Sequence, residues 1–270
     1  MLVAPNNFIY KLSDKLQKNN SLKNVIKRFI LDYNMTPCIG VEIEFYLSPN
    51  INISDLESIV GIQIKKEKGN YQFEIDLPPS IDLINYVKKI DMLKYNISKG
   101  AEKLGGNVNF HPKPFQNDYG NSIHFHISFD KELDLIHQAQ SICHYMLDSF
   151  LIFMPNEEDY LRIDKNYMTP THVSFGGNNR TVAIRMPDSL PKRLEHRISS
   201  PSIDSYLAIY AILQSILMGL DNPDIINKIP KTFGNAFDTQ YNLVPLPTSR
   251  KEAMRLFNFT DYIITNLIFK

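Results

Sequence analysis

Apolar and polar residues alternate through CIGVEIEFYL, residues 38 to 47: Val41, Ile43 and Phe45 fall on one side of an extended chain, and Glu42, Glu44 and Tyr46 on the other. This predicts a strand over 39–47 that carries two carboxylates on one face, roughly 7 Å apart along the chain. SIHFHISF (122–129) alternates in the same way and puts His124 and His126 on a common face. GIQIKKEKGNYQFEIDL (61–77) reads as two strands around a turn at Gly69-Asn70, stopped by Pro78-Pro79. TVAIRMP and KRLEHRI read as strands, or as a strand and its loop, and NVNFHPKPF as an extended segment. Helical spacing appears elsewhere. Residues 8–33 suit one or two short amphipathic helices, and 81–104 a helix with Ile84, Val87, Ile90, Leu93 and Ile97 inward, closed by Gly105-Gly106. Longer apolar-rich helices are predicted over 132–154 and from Ser202 to Leu220, and a last one near 249–268. Ser54 or Asp55 is the expected cap of a helix after the first strand, and 155–181 is loop-like. Strands and helices mix without regular βαβ alternation, which points to an α+β fold with a mainly antiparallel sheet.

Composition narrows the function classes. The 270 residues are 43% hydrophobic, enough for a sizeable core. Lys+Arg and Asp+Glu are both 29, so no charge excess points to nucleic acid. Cys38 and Cys143 are the only cysteines, which makes no disulfide framework and favours a cytoplasmic location. The start, MLVAPNNFIYKLSDK, lacks a basic stretch followed by an apolar run, and nothing approaches a membrane span of roughly 18 apolar residues.

The chemistry-bearing residues lie on the predicted strands. Glu42 and Glu44 suit hard cations, which take oxygen ligands. His124 and His126 add imidazole, a ligand for Mn²⁺ as well as Mg²⁺. Glu67 and Glu74 flank the Gly69-Asn70 turn, so hairpin pairing would bring them together. Arg180, Arg185, Arg193 and Arg197 surround Glu195, and guanidinium makes paired bonds to phosphate and carboxylate. Taken singly, these groups read more readily as a solvated strand edge, a surface or satisfied core histidine pair, a surface hairpin and a surface ion-pair network. Together they fall on segments independently read as strands.

Their order resembles the catalytic domain of glutamine synthetase, from about Gly40 to Leu220. GVEIEFYL is similar to that family's G-x-E-x-E-F, and KKEKGNYQFEIDL to its segment with one Glu before Gly-Gln-x-Glu. FHPKPFQNDYGNSIHFHISF resembles F-M-P-K-P…G-S-G-M-H-x-H-x-S. NNRTVAIRMP and RLEHRISSPSIDSYLAIYAIL resemble N-R-S-x-x-I-R-x-P and R-x-E-x-R-x-P-D-P…Y-L. These matches favour this family over the related glutamate–cysteine ligase type. The resemblance implies a curved, mainly antiparallel sheet flanked by helices, with residues 1–37 a helical N-terminal extension and 38–270 the catalytic domain. It implies ATP and two or more Mg²⁺ or Mn²⁺ ions. Glu44, Glu67 and Glu74 would hold one ion, and Glu42, His124 and Glu195 the second. His126 and Ser128 would lie at the nucleotide, with Arg180, Arg185 and Arg193 on its phosphates. Arg162 and Arg197 would hold the glutamate substrate or its acyl phosphate, and Gly120 would lie near the glutamate amine. The implied reaction phosphorylates a carboxylate with ATP and lets ammonia or another amine displace the phosphate.

The chain departs from the family pattern at the ammonium side. Ungapped alignment between Arg162 and Arg180 puts Met168 where the family has an acid, with Asp164 the nearest carboxylate. Tyr119 stands in place of an Asn before Gly120, and RISSP replaces R-x-P-D-P. The family's small β-rich N-terminal domain is expected to be missing. These departures leave three readings: a ligase using an amine other than ammonia, slow glutamine synthesis within a homo-oligomer or with a partner chain, and a nucleotide-binding pseudoenzyme acting as an interaction subunit.

Overall fold

A computed structural model describes residues 6–258 apart from 19, 132–133 and 227. Two amphipathic helices, α1 (Asn6–Lys18) and α2 (Ser21–Tyr33), precede the long strand β1 (Pro37–Leu47). Then follow α3 (Ile53–Val60), β2 (Lys65–Lys66), β3 (Gln72–Ser80), α4 (Leu83–Lys103), β4 (Val108–Asn109) and β5 (Ile123–Phe129). The second half holds α5 (Leu135–His144), α6 (Met146–Phe153), β6 (Phe175–Gly176), β7 (Ile184–Arg185), β8 (Leu194–His196), α7 (Ser205–Asp221) and α8 (Arg250–Leu256).

The strands form one open sheet in the order β2-β3-β1-β5-β8-β7-β6, with β4 on the end of β1. Every pairing is antiparallel except β6 with β7, in accord with the α+β reading. The alternation of β1 and β5 sets its two faces. Ile39, Val41, Ile43 and Phe45, with Ile123, Phe125 and Ile127, enter the same apolar core as α4, α6 and α7. α7 is buried all round from Ser205 to Gly219, which explains its near-continuous apolar sequence. Asp204 caps its N-terminus through Leu207 N, and Asn222-Pro223 follow its end. α1 and α2 lie against α7 and share the core through Leu16, Leu22 and Phe29.

Several expectations need correction. β3 continues through Pro78 and Pro79 instead of stopping there, because the β1–β3 register shifts between Ile39 and Val41. A bulge tolerates residues that cannot donate to the ladder. The helix over 132–154 is two helices, broken at Tyr145 (φ −93°, ψ 7°), with no glycine or proline to announce the break. α3 is capped by Asn52, which accepts from Ser54 N and Asp55 N, rather than by Ser54 or Asp55. The loop 155–181 contains two 3-10 turns, Glu157–Arg162 and Lys165–Tyr167. Of the helix near 249–268, α8 is seen and 259–268 lie outside the described residues.

Candidate active site

The polar face of the sheet floors a cleft. Strand register builds it. Glu42 of β1 stands opposite His124 of β5, Glu44 opposite Glu74 of β3, and His126 opposite Glu195 of β8. Glu195 in turn faces Arg185 of β7. Glu67, just past β2, also lines the cleft. All six residues expected to ligate metal therefore meet in one cavity, joined by Gly120, Arg162, Arg180, Arg185 and Arg197. His126, Ser128 and Arg193 line a neighbouring cleft with Pro78, Pro79, Leu190 and Pro191, and Glu42 lines both.

The acids fall into two electrostatic groups. Glu195 is neutralised, with Arg185 Nη1 2.6 Å from Oε2 and Arg197 Nε 3.0 Å from Oε1. Burial opposes its ionisation, but His124 and the arginines hold its carboxyl below the usual range. Glu42 receives His124 Nδ1 at 3.1 Å, and His126 Nε2 lies 2.7 Å away. Here too burial is outweighed, and the two imidazoles keep the group ionised well below the ordinary carboxylate range. Arg193 Nε donates to His126 Nδ1 at 3.1 Å, which leaves the proton of a neutral His126 on Nε2, facing Glu42.

Glu44 and Glu74 differ: among the described residues no lysine or arginine comes within 4.0 Å of either, or of Glu67. Burial pushes the Glu44 and Glu74 carboxyls up, and at Glu74 the charges of Glu42 and Glu44 push further. Ligand atoms of Glu42, Glu74 and His124 lie within 4.8 Å of one another. Buried carboxylates without a cation beside an imidazole form a donor set that suits Mg²⁺ or Mn²⁺.

The arginines are braced from behind. Arg162 is 3% exposed; Nη1 donates to Ile198 O, and its buried Nε has no hydrogen-bond partner among the described residues. Burial lowers it to about 10, against the pull of Glu44 and Asp159. Arg197 Nη1 donates to Arg180 O. Asp159, fully buried, accepts from Ser200 and Ser202 Oγ and, at 2.7 Å, from Asn156 N. Ser200 occupies the Asp position of R-x-P-D-P, so an acid three residues before Arg162 now holds that turn.

Gly120 sits in a tight loop. Gln72 Nε2 donates to its carbonyl at 3.0 Å, and a Cβ there would lie 2.7 Å from Pro112 O and 2.9 Å from Arg162 Cβ. Tyr119 and Met168 both line the cleft, with Tyr167, Thr169 and Pro170. The Tyr119 and Tyr167 rings meet edge-to-face at 5.4 Å. Asp164 is not among the lining residues; its carboxylate caps the following turn through Asn166 N at 2.9 Å. Residues that sequence reasoning missed are Ser122, Gln72, Tyr167 and Asp159. Ser122 had a signal, since it precedes His124 by two and so shares its face.

Comparison with known proteins gives this sheet and its cleft a family. The glutamine synthetase catalytic domain family matches residues 52–269, and the chain belongs to it. It is 25% identical to gamma-glutamylputrescine synthetase PuuA of Escherichia coli over 304 residues, covering 97% of this chain and 64% of that protein. Glutamine synthetase of Sulfolobus acidocaldarius is 32% identical over 171 residues, covering 55% and 36%. The chain thus spans less than two thirds of the length of these relatives. Among solved structures, a GmaS/ADP complex matches with a TM-score of 0.76 at 20% identity, covering 92% of this chain and 69% of the other, which shows the fold. Among the described residues no helix is long and apolar enough to cross a membrane.

Proposed function

We propose that this chain is an ATP- and divalent-metal-dependent carboxylate–amine ligase that activates glutamate or a similar acid as an acyl phosphate and joins it to an amine larger than ammonia. The observation that carries the reading is a single cleft in which uncompensated acids and braced arginines converge, with Met168 at the position of the family's acid. In this reading Glu44, Glu67 and Glu74 hold one ion and Glu42, His124 and Glu195 the other. Bound divalent ions would supply positive charge against the phosphate oxygens. The acid's carboxylate attacks the γ-phosphorus of ATP, ADP leaves, and the amine nitrogen then attacks the acyl carbon, expelling phosphate and losing a proton.

The chain's own residues position these groups. Arg162 and Arg197 grip the acid, and Arg180 and Arg185 offset charge on the transferred phosphoryl group. His126, Ser128 and Arg193, in the adjoining cleft, serve the nucleotide. A thioether accepts no proton usefully, so Met168 favours an amine that arrives as the free base. The faces of Tyr119 and Tyr167 and the Met168 side chain suit a hydrocarbon substituent on it. We also take residues 1–37 as a helical extension of the domain formed by 38–270. Free thiols at Cys38 and Cys143 fit a cytoplasmic setting.

The test is phosphate release from ATP with Mg²⁺ or Mn²⁺, with and without glutamate, across ammonia and a panel of alkylamines. Release that requires both glutamate and an alkylamine is the expected result. Preference for ammonia would overturn the amine assignment, and absence of acid-dependent release with glutamate and with related amino and dicarboxylic acids, across every amine, would overturn the ligase reading.

A further inference from the structure

Aligning GNSIH on G-S-G-M-H sets Gly120, Asn121, Ser122, Ile123 and His124 in register, so Ser122 stands where the family motif has its second glycine. The substitution places a hydroxyl on the polar face of the sheet, between elements that carry different ligands. Ser122 is buried, its carbonyl accepts from Glu44 N at 3.0 Å, and it lines the cleft. Its Oγ lies 2.5 Å from Glu44 Oε2 and 2.9 Å from His124 Nε2.

A hydroxyl has one proton to give and can accept two. Oγ donates to Glu44 Oε2, so its one proton is spent there and Oγ accepts the Nε2 proton of His124. The opposite ring atom, Nδ1, lies 3.1 Å from Glu42 Oε2 and 3.5 Å from Glu195 Oε1. In this arrangement Nδ1–H points at those two carboxylates, and with Nε2 held by Ser122 it is Nδ1 that would exchange its proton for an ion there. This bonding order also separates the arrangement from a nucleophilic Ser–His–Glu relay, whose hydroxyl proton would have to point at the imidazole.

We propose that Ser122 is a positioning residue, specific to this chain's version of the site, that fixes the tautomer and tilt of His124 and ties it to Glu44. One hydroxyl then links a ligand of each ion in the two-ion site, a part that glycine cannot play. Partners of this kind behind metal ligands govern affinity as well as geometry. The inference rests on the two-ion reading above.

The experiment is Mn²⁺ binding to the full chain, followed by paramagnetic resonance of free Mn²⁺ and by calorimetry. The parent is compared with Ser122→Gly, Ser122→Ala and Ser122→Thr, each checked for the parent's circular dichroism. Ser122→Gly and Ser122→Ala should bind the ion at the His124 site about 10-fold more weakly, while Ser122→Thr, which keeps the hydroxyl, stays close to the parent. The visible spectrum of bound Co²⁺ should shift in the first two and be restored in the third. Parental affinity in Ser122→Gly and Ser122→Ala, or a Ser122→Thr as weak as Ser122→Gly, would overturn the role of the hydroxyl while leaving the two-ion site intact. A parent chain that binds no Mn²⁺ would overturn both.

Discussion

Met168 adopts a left-handed conformation, φ 61°, at the end of the Lys165–Tyr167 turn, a backbone state that L side chains enter at a cost. Glutamate would bear the same cost, so Met168→Glu changes the chemistry of the position without changing its strain. The variant should gain ammonia-dependent phosphate release relative to alkylamine-dependent release by about 10-fold or more, since a placed proton acceptor is worth at least that. An unchanged ratio in the same assay would remove Met168 from acceptor selection. At this scale the sequence was informative where periodicity and motif coincide: Glu42, Glu44, His124 and His126 were readable as one-face pairs. The partner-dependent details were not. Which way the His124 ring is turned depends on contacts with Ser122 and Glu42, and the role of Asp159 depends on a contact with Ser200, 41 residues away in the chain.

At the scale of elements, the short Glu157–Arg162 turn carries out a task that its length conceals. Its Asp159 side chain ties the segment before Arg162 to the segment after Arg197, so two arginines from distant parts of the chain keep a fixed separation. Asp159→Ala would leave buried hydroxyl and amide donors without their acceptor. It should lower stability by about 3 kcal/mol in denaturant unfolding and raise KM for the acid more than KM for ATP. Equal effects on both substrates would assign Asp159 a purely structural part. Long periodic elements such as β1, β5, α4 and α7 were legible because each has one constant environment along its length. β2, β6, β7 and β8, two or three residues each, were legible only in outline, because pairing with neighbours rather than any local period defines them. The Tyr145 break had no local marker at all.

At the scale of the whole molecule, the sheet divides the protein into an apolar helical side and a charged side, and β8 spans the division within two residues. Glu195 faces the cleft, whereas His196 is fully buried against Phe153, with ring centroids 4.3 Å apart and neither ring nitrogen hydrogen-bonded among the described residues. Burial first, and the charge of His124 second, push its imidazole down to about 3. The unfolded chain takes up that proton near pH 6.5. Below this value the unfolded state binds a proton that the folded state refuses. The stability contribution is therefore complete above pH 6.5 and is lost as pH falls toward 3, reaching about 2 kcal/mol at pH 5. Thermal or denaturant unfolding of His196→Leu should accordingly lose less stability between pH 7 and pH 5 than the parent. Parallel pH profiles would show that the folded protein accommodates the charged ring.

Glu42 belongs to both clefts on the charged side of the sheet. A wall made of one carboxylate cannot insulate. A cation drawn to one oxygen alters the pull that the other exerts on His126, and through it on Arg193. Occupancy of either chamber would then change the affinity of the other, and thermodynamics requires such a change to be equal in both directions. The two chambers would act as a single balance with Glu42 as its beam, so the order in which ligands arrive could affect the rate of filling but not the final tightness.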